Sequence, residues 1–262
     1  MSNIIKGDDP RITIRSLTDA LAKIGLSLPE NVTTTPQTVT VPDPDTTEIV
    51  DAIQAAKGDP AADEAVQRLI TARAIARGGY LDLLAQAARV EQWEALKESL
   101  DTVNDQIHAA FDTAARELEA VAPELKGYTD LDSLVLASLP ARVADPARRA
   151  VNAQHTLRAA RDAWLRLWRS VGGQRSGRPE EDILAVCNPT PAEWLEHSSR
   201  RPQSLPAPGD VWTMARNGWT LTLAHDLRDA KARAEHIRTT IDRDREKRQA
   251  EQGRLSGWGL RR

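Results

Sequence analysis

Reactive groups and large side chains other than tryptophan are scarce in this sequence. Its 262 residues include one Phe, two Tyr, two Met and one Cys. The lone Cys187 excludes an internal disulfide framework and fits a reducing compartment, so a cytoplasmic location is expected. No apolar run approaches the roughly 18–20 residues that a membrane-spanning helix needs. The opening stretch, through Asp8-Asp9-Pro10, lacks the apolar core of a secretory signal. The histidines at 108, 155, 197, 225 and 236 form no His-Glu-x-x-His pair. Glu193 and His197 stand one helical turn apart, but no third ligand lies near them in sequence. Gly172 to Gly177 follows a helical pattern rather than a strand and lacks the lysine of a phosphate loop. No motif supplies Cys187 with a base and an orienter. The expectation from these absences is a protein with no catalytic residues, no metal and no cofactor, and therefore not an enzyme.

Helical periodicity is abundant. Leu96, Leu100, Val103, Ile107, Ala110, Ala114 and Val121 recur at steps of four and three, then a full heptad, within a predicted rod from Tyr80 to Ala122. Phe111 and Leu118 widen that stripe to the breadth of a bundle helix. A second seam runs Ala150, Ala153, Leu157, Ala160, Trp164, Leu167, Val171, and Gly172-Gly173 stops it. Two such seams a short connection apart predict an antiparallel helical hairpin, or coiled coil. His108 and His155 lie beside the seams, where the hairpin would let them meet. Leu165 and Trp168 lie off the seam and require a third element to cover them. A third stripe is Leu223, Leu227, Ala230, Ala234, Ile237 and Ile241. Six tryptophans spread over these helices read as core or interface rather than as a cofactor box.

Punctuation residues divide the chain. Arg11–Arg15 alternates like a short strand. Ser16 with Asp19 reads as a capping box for a helix over 17–24, with Gly25 beyond its end. The Thr/Pro-rich stretch 29–44 reads as an extended linker, since proline blocks both helix and central strand. Asp45 and Glu48 make a capping box for 46–57. Asp59-Pro60 opens the next helix, and Gly78-Gly79 interrupts it. Thr129 and Asp132 cap a short helix, 130–138, and Asp145-Pro146 opens the second long one. Residues 174–182 read as a polar loop. Thr190-Pro191-Ala192-Glu193 is a helix start, with Trp194 and Leu195 on its buried face. Ser198 to Gly209, with three prolines, is irregular, and Asp210 caps the last helical region. The predicted architecture is all-α: an elongated helical hairpin or bundle with a C-terminal helical arm and an extended N-terminal linker. Its parts are 1–58, small N-terminal helices with the linker; 59–173, the long-helix hairpin; 174–209, loop and short helices; and 210–262, the arm with a basic tail.

Charge is uneven. Net charge is −6 over residues 1–64, near neutral to residue 225, and +4 over 226–262. The tail residues Arg243, Arg245, Lys247, Arg248, Arg254, Trp258, Arg261 and Arg262 are the candidate partner-binding segment, with Trp258 and Leu260 set between glycines like a short anchor. Asp242, Asp244, Glu246 and Glu251 interleave and weaken the field that a nucleic acid would feel. The candidate helix-seam or interface residues are Leu96, Leu100, Val103, Ile107, Leu157, Trp164, Leu167 and Val171. These features predict a scaffold or adaptor that self-associates into an oligomer through its seams and docks a protein partner through its tail, without a membrane. The layout of acidic front, helical rod and basic rear resembles, in general terms and without a shared motif, that of phage-type scaffolding proteins. That likeness implies a structural role in virion or similar assembly. The alternative is a nucleic-acid-binding regulator using the Arg-rich C-terminal helix.

Overall fold

Helices account for nearly all the regular structure in a computed structural model of the chain, which describes residues 10–33, 41–56, 58–132, 139–173, 177–200 and 205–258. Among the described residues the helices are α1 (Pro10–Ala22), α2 (Glu30–Thr33), α3 (Thr46–Ala55), α4 (Glu64–Arg77), α5 (Tyr80–Glu98), α6 (Leu100–Val121), α7 (Ala141–Ser170), α8 (Pro179–Leu184), α9 (Pro191–Arg200), α10 (Val211–Arg216) and α11 (Leu227–Trp258). The protein is all-α. Among the described residues the sole β pairing is an isolated antiparallel bridge between Cys187 and Leu221. Two compact units are formed. One comprises Met1–Leu28 and Leu100–Arg262; the other is Pro29–Ser99.

The larger unit is built on α6 and α7. Glu117 near the end of α6 pairs with Arg149 near the start of α7. His108 of α6 and Trp168 of α7 both lie against His225. The two helices therefore run antiparallel. Val103, Ile107, Phe111, Ala114 and Leu118 of α6 are buried, as are Ala150, Ala153, Leu157, Ala160, Trp164 and Leu167 of α7. The alanines let the backbones approach while Leu157 and Trp164 fill the space between them, and each fully buried large side chain contributes roughly 1.5–3 kcal/mol. Helix α1 covers another side of α7 with Leu17 and Leu21, both fully buried. Helix α10 packs on α6 and α7, and Trp212 Nε1 donates to the Tyr128 carbonyl at 3.2 Å. Helix α11 lies on α8 and α9.

Several local expectations change. The rod is two helices, α5 and α6, separated at Ser99, whose hydroxyl donates back to the Ala95 carbonyl at 2.8 Å. The strand over 11–15 is instead the first turns of α1, and Ser16 sits in mid-helix rather than at a cap. Packing of an apolar stripe on α7 outweighs the local alternation there. Glu30–Thr33, within the expected linker, is one helical turn, and residues 34–40 lie outside the described residues. Asp59 does not start a helix; its carboxylate accepts from Ala61 N at 2.9 Å, while Asp63 caps α4. Helix α7 starts at Ala141, so Pro146 is inside it and leaves the Arg142 carbonyl without its helical donor. Most of the helix predicted over 130–138 lies outside the described residues. Asp132 itself accepts from Gln154 and Arg158 of α7 instead of capping. Asp210 caps only the short α10, and Asp226 provides the side-chain cap at the start of α11, accepting from Asp229 N at 2.7 Å.

Other starts and stops fall where the sequence puts them. Both halves of the Asp45/Glu48 capping box are present. So are those of Thr190 and Glu193, at 3.3 and 2.7 Å. Gly79 adopts φ +75°, and a Cβ on Gly78 would meet the Ala74 carbonyl at 2.5 Å, so this pair ends α4 as expected.

The smaller unit is thinly packed. Helices α2 and α4 lie on α5, and α3 lies on α4. An exposed pair between Arg77 and Asp43 at 3.0 Å ties the stretch before α3 to the end of α4. Among its described residues, the large apolar side chains that are buried are Val32, Val66 and Leu96, and α3 buries none.

Candidate interaction surfaces

Four places in the chain gather polar or apolar groups that the fold leaves notable. The first is the guanidinium of Arg233 on α11. Its Nη1 donates to the carbonyls of Leu184, Cys187 and Thr222 at 3.3, 3.4 and 3.1 Å. Its Nη2 donates to the Leu223 carbonyl at 3.3 Å and to Asp229 at 2.9 Å. Residues 185–188 run beside 220–224, with Thr222 N donating to the Val186 carbonyl and Asn188 N to the Thr220 carbonyl, both at 3.1 Å. Arg233 thus closes α8, the β bridge and α11 into one corner. The role is structural: a cation satisfies carbonyls that no regular element pairs. Sequence periodicity gives no sign of it, since Arg233 reads as one more charged position on a helix. Cys187 is fully buried at this corner. Burial pushes its thiol up to about 12, against a smaller opposing pull from Arg233. It is a core residue, poorly suited to act as a nucleophile at neutral pH.

The second is a polar cluster where α6, α7 and the start of α11 meet. The His108 and His225 rings are 6.3 Å apart, Trp168 lies 6.5 Å from His225, and Asn104 Nδ2 donates to the His225 carbonyl at 3.3 Å. Asn104 Oδ1, His108 Nε2 and Trp168 Nε1 are buried without a protein partner. Desolvation lowers the pKa of His108, and the nearby His225 adds to that. The expected meeting of His108 with His155 does not occur: His155 is exposed on α7, and the imidazole facing His108 is His225. His225 with the start of α11 is also the element that covers Trp168. Nothing here forms a nucleophile–base–orienter arrangement among the described residues.

The third is an aromatic stack. Trp194 of α9 and Trp219 stack at 5.7 Å, and His197 meets Trp219 edge-on at 5.3 Å. His197 faces an indole, and among the described residues no group of three or more His, Cys, Asp or Glu is placed to hold a metal. A shallow groove of about 440 Å³ beside α1 and α7 is lined by Arg15, Ser16, Asp19, Lys23 and Arg166. Arg166 there pairs with Asp162 at 2.9 Å and contacts Ser16.

The fourth is an exposed apolar surface. Every large hydrophobic residue that is exposed among the described residues lies between Val50 and Val90: Val50 and Ile53 on α3, Ile70 on α4, and Tyr80, Leu83, Leu84 and Val90 on α5.

The candidate seam residues separate into two groups. Val103, Ile107, Leu157, Trp164 and Leu167 are buried within the larger unit, and Leu96 is buried in the smaller one. Leu100 and Val171 are half-buried at helix ends. The contacts of α6 with α7 therefore occupy their seams inside one chain. In the tail, Arg243, Arg245, Lys247 and Arg248 are exposed on α11. Arg254 and Trp258 fall within the helical backbone of α11, and Arg261 and Arg262 lie outside the described residues. The third seam is buried at Leu223, Ala230, Ala234 and Ile237 and half-exposed at Ile241, after which residues 242–250 are exposed on all sides. No helix among the described residues is long and apolar enough to cross a membrane.

By fold this is an all-α protein whose polar clusters tie helices together. No protein-family model, curated protein or solved structure matches the chain.

Proposed function

We propose that this protein is a non-enzymatic helical assembly or adaptor protein that associates with itself and docks a partner through its C-terminal tail, as a scaffolding protein of the virion-assembly type would. The reading rests on the gathering of exposed apolar side chains between Val50 and Val90. A folded monomer scatters such residues singly; a concentration on adjoining helices marks a surface meant to be covered. Because α6 and α7 occupy their seams with each other, self-association moves from those seams to the 29–99 unit. The buried thiol of Cys187 fits a reducing compartment, and the cytoplasm is the location we propose.

Sedimentation velocity over a concentration series tests this reading. The expected result is a mass that rises above the 28.8 kDa of one chain as concentration increases. A chain that stays monomeric throughout refutes it. Nucleic-acid binding is less well supported, because residues 242–248 hold four basic and three acidic groups. Retention on DNA that is lost with salt and on deleting 243–262 would replace assembly with that reading.

A further inference from the structure

The exposed apolar residues of α5 fall in one row along the helix. Taking about 100° per residue, Tyr80, Leu83, Leu84, Ala87 and Val90 share one side, and all are exposed. The small Ala87 stands at the middle of that side, with Leu83 and Leu84 before it and Val90 after it. Ala85, Arg89, Gln92 and Leu96 lie on the other side and are half-buried or buried.

The two ends of this side carry opposite charge. At the same spacing Glu91, Glu94 and Glu98 continue it beyond Val90, and all three are exposed. Lys97 pairs with Glu94 at 2.9 Å, which leaves that end net negative. At the other end Gly79 is the N-cap and gives no side-chain hydrogen bond to the amides of the first turn. Asp82, the acid of that turn, falls off the exposed side. The positive end of the helix dipole is therefore uncompensated there.

We infer that this side of α5 is a two-fold contact, in which the α5 helices of two copies lie antiparallel and cross at Ala87. This rests on the assembly reading above and names its contact. A surface pairs with a copy of itself when reversal brings its unlike parts together. Reversal about Ala87 sets Leu83 and Leu84 of each copy against Val90 of the other. Ala87 meets Ala87, and its lack of bulk lets the helix axes come to about 8 Å. Glu91 and Glu94 of each copy reach the first turn of the other's α5, where the uncapped amides and the Tyr80 hydroxyl donate. A parallel pair would lay the carboxylates on one another. The same carboxylates repel an anionic membrane or nucleic acid, so a second copy is the occupant that fits. Tyr80, Leu83, Leu84 and Val90 are each more than half exposed, and with Ala87 they offer roughly 500 Å² per copy. About 1,000 Å² for the pair is the lower edge of specific interfaces, which makes the contact reversible and concentration-dependent.

Cysteine cross-linking in the full chain tests the geometry, with sedimentation velocity for self-association and circular dichroism for helicity. The native Cys187 is buried and stays silent. Ala87→Cys sits on the two-fold axis and should give a disulfide-linked dimer under mild oxidation. Position 91 is also exposed, but the antiparallel pair holds its two copies about 12 Å apart along the helices. Glu91→Cys should therefore cross-link ~10-fold or more slowly than Ala87→Cys, because a disulfide cannot span that gap. Leu84→Asp puts a charge into the apolar centre and should weaken self-association ~10-fold or more with helicity unchanged. A chain that self-associates yet links E91C as fast as A87C, or that ignores L84D, overturns this contact and leaves the assembly reading standing. A parent chain that is monomeric at every concentration overturns both.

Discussion

Replacing Arg233 by methionine should destabilise the larger unit by about 3–4 kcal/mol. The side chain is 15 % exposed, and its five hydrogen bonds end on four carbonyls and Asp229. A hydrogen bond to a charged group contributes about 1.5–3 kcal/mol, but the bonds here share one cation and do not add. The larger cost is what remains. Leu184, Cys187 and Leu223 are buried, so water reaches their carbonyls poorly, and each stranded carbonyl costs about 1–3 kcal/mol before relaxation. Methionine keeps the stem's packing, which confines the loss to the polar head. A change of this size lowers the melting temperature of a domain this large by roughly 6–15 °C. Urea denaturation followed by far-ultraviolet circular dichroism, with thermal melts beside it, measures both. The exposed pair between Arg68 and Glu64, 75 % and 91 % exposed, is the control, and Arg68→Ala should change stability by no more than about 0.5 kcal/mol. A loss below about 1 kcal/mol for Arg233→Met would refute the claim that this guanidinium closes the corner. Lysine should rescue only part, since a point charge cannot reach carbonyls on both sides.

Cys187, its thiol held up at about 12 by burial, should resist alkylation and thiol–disulfide exchange in the native protein and react fully in urea; fast native labelling would show that its corner opens. His108 has a folded pKa below its ordinary 6.5, with desolvation the main cause. The fold therefore favours the neutral ring, and stability is complete above that value and declines as pH falls through it. His225 also disfavours the charged ring, while Asp112, Asp105 and the Ala224 carbonyl partly offset the shift. His108→Gln should flatten the stability profile below neutrality, and an unchanged profile would assign the slope elsewhere. Ile107→Asp buries a charge at a fully enclosed site and should unfold the larger unit, whereas half-buried Leu100 should tolerate aspartate at a cost below about 2 kcal/mol. Equal losses at the two positions would contradict the burial described here.

Sequence alone determined the fold class and the inward faces of the long helices. A stripe such as Leu157, Ala160, Trp164 and Leu167 is unstable in water and can be hidden only along one side of a helix. Caps were legible for the same local reason: Asp45 with Glu48, and Thr190 with Glu193, satisfy amides within a few residues. The order of basic and apolar residues in the tail was equally plain. Only the tertiary structure decided what those faces meet. It joined α6 to α7 within one chain, and it left Tyr80, Leu83, Leu84 and Val90 uncovered on a helix whose sequence looked continuous with the buried rod. It also faced His108 with His225 rather than His155, and brought Arg233 to four carbonyls from two other stretches of the chain, 184–187 and 222–223. The physical reason is range. Periodicity and capping are set within a few residues of the chain. The partner of a face, and the destination of a long cation, depend on contacts whose closure is settled by the packing of the whole unit.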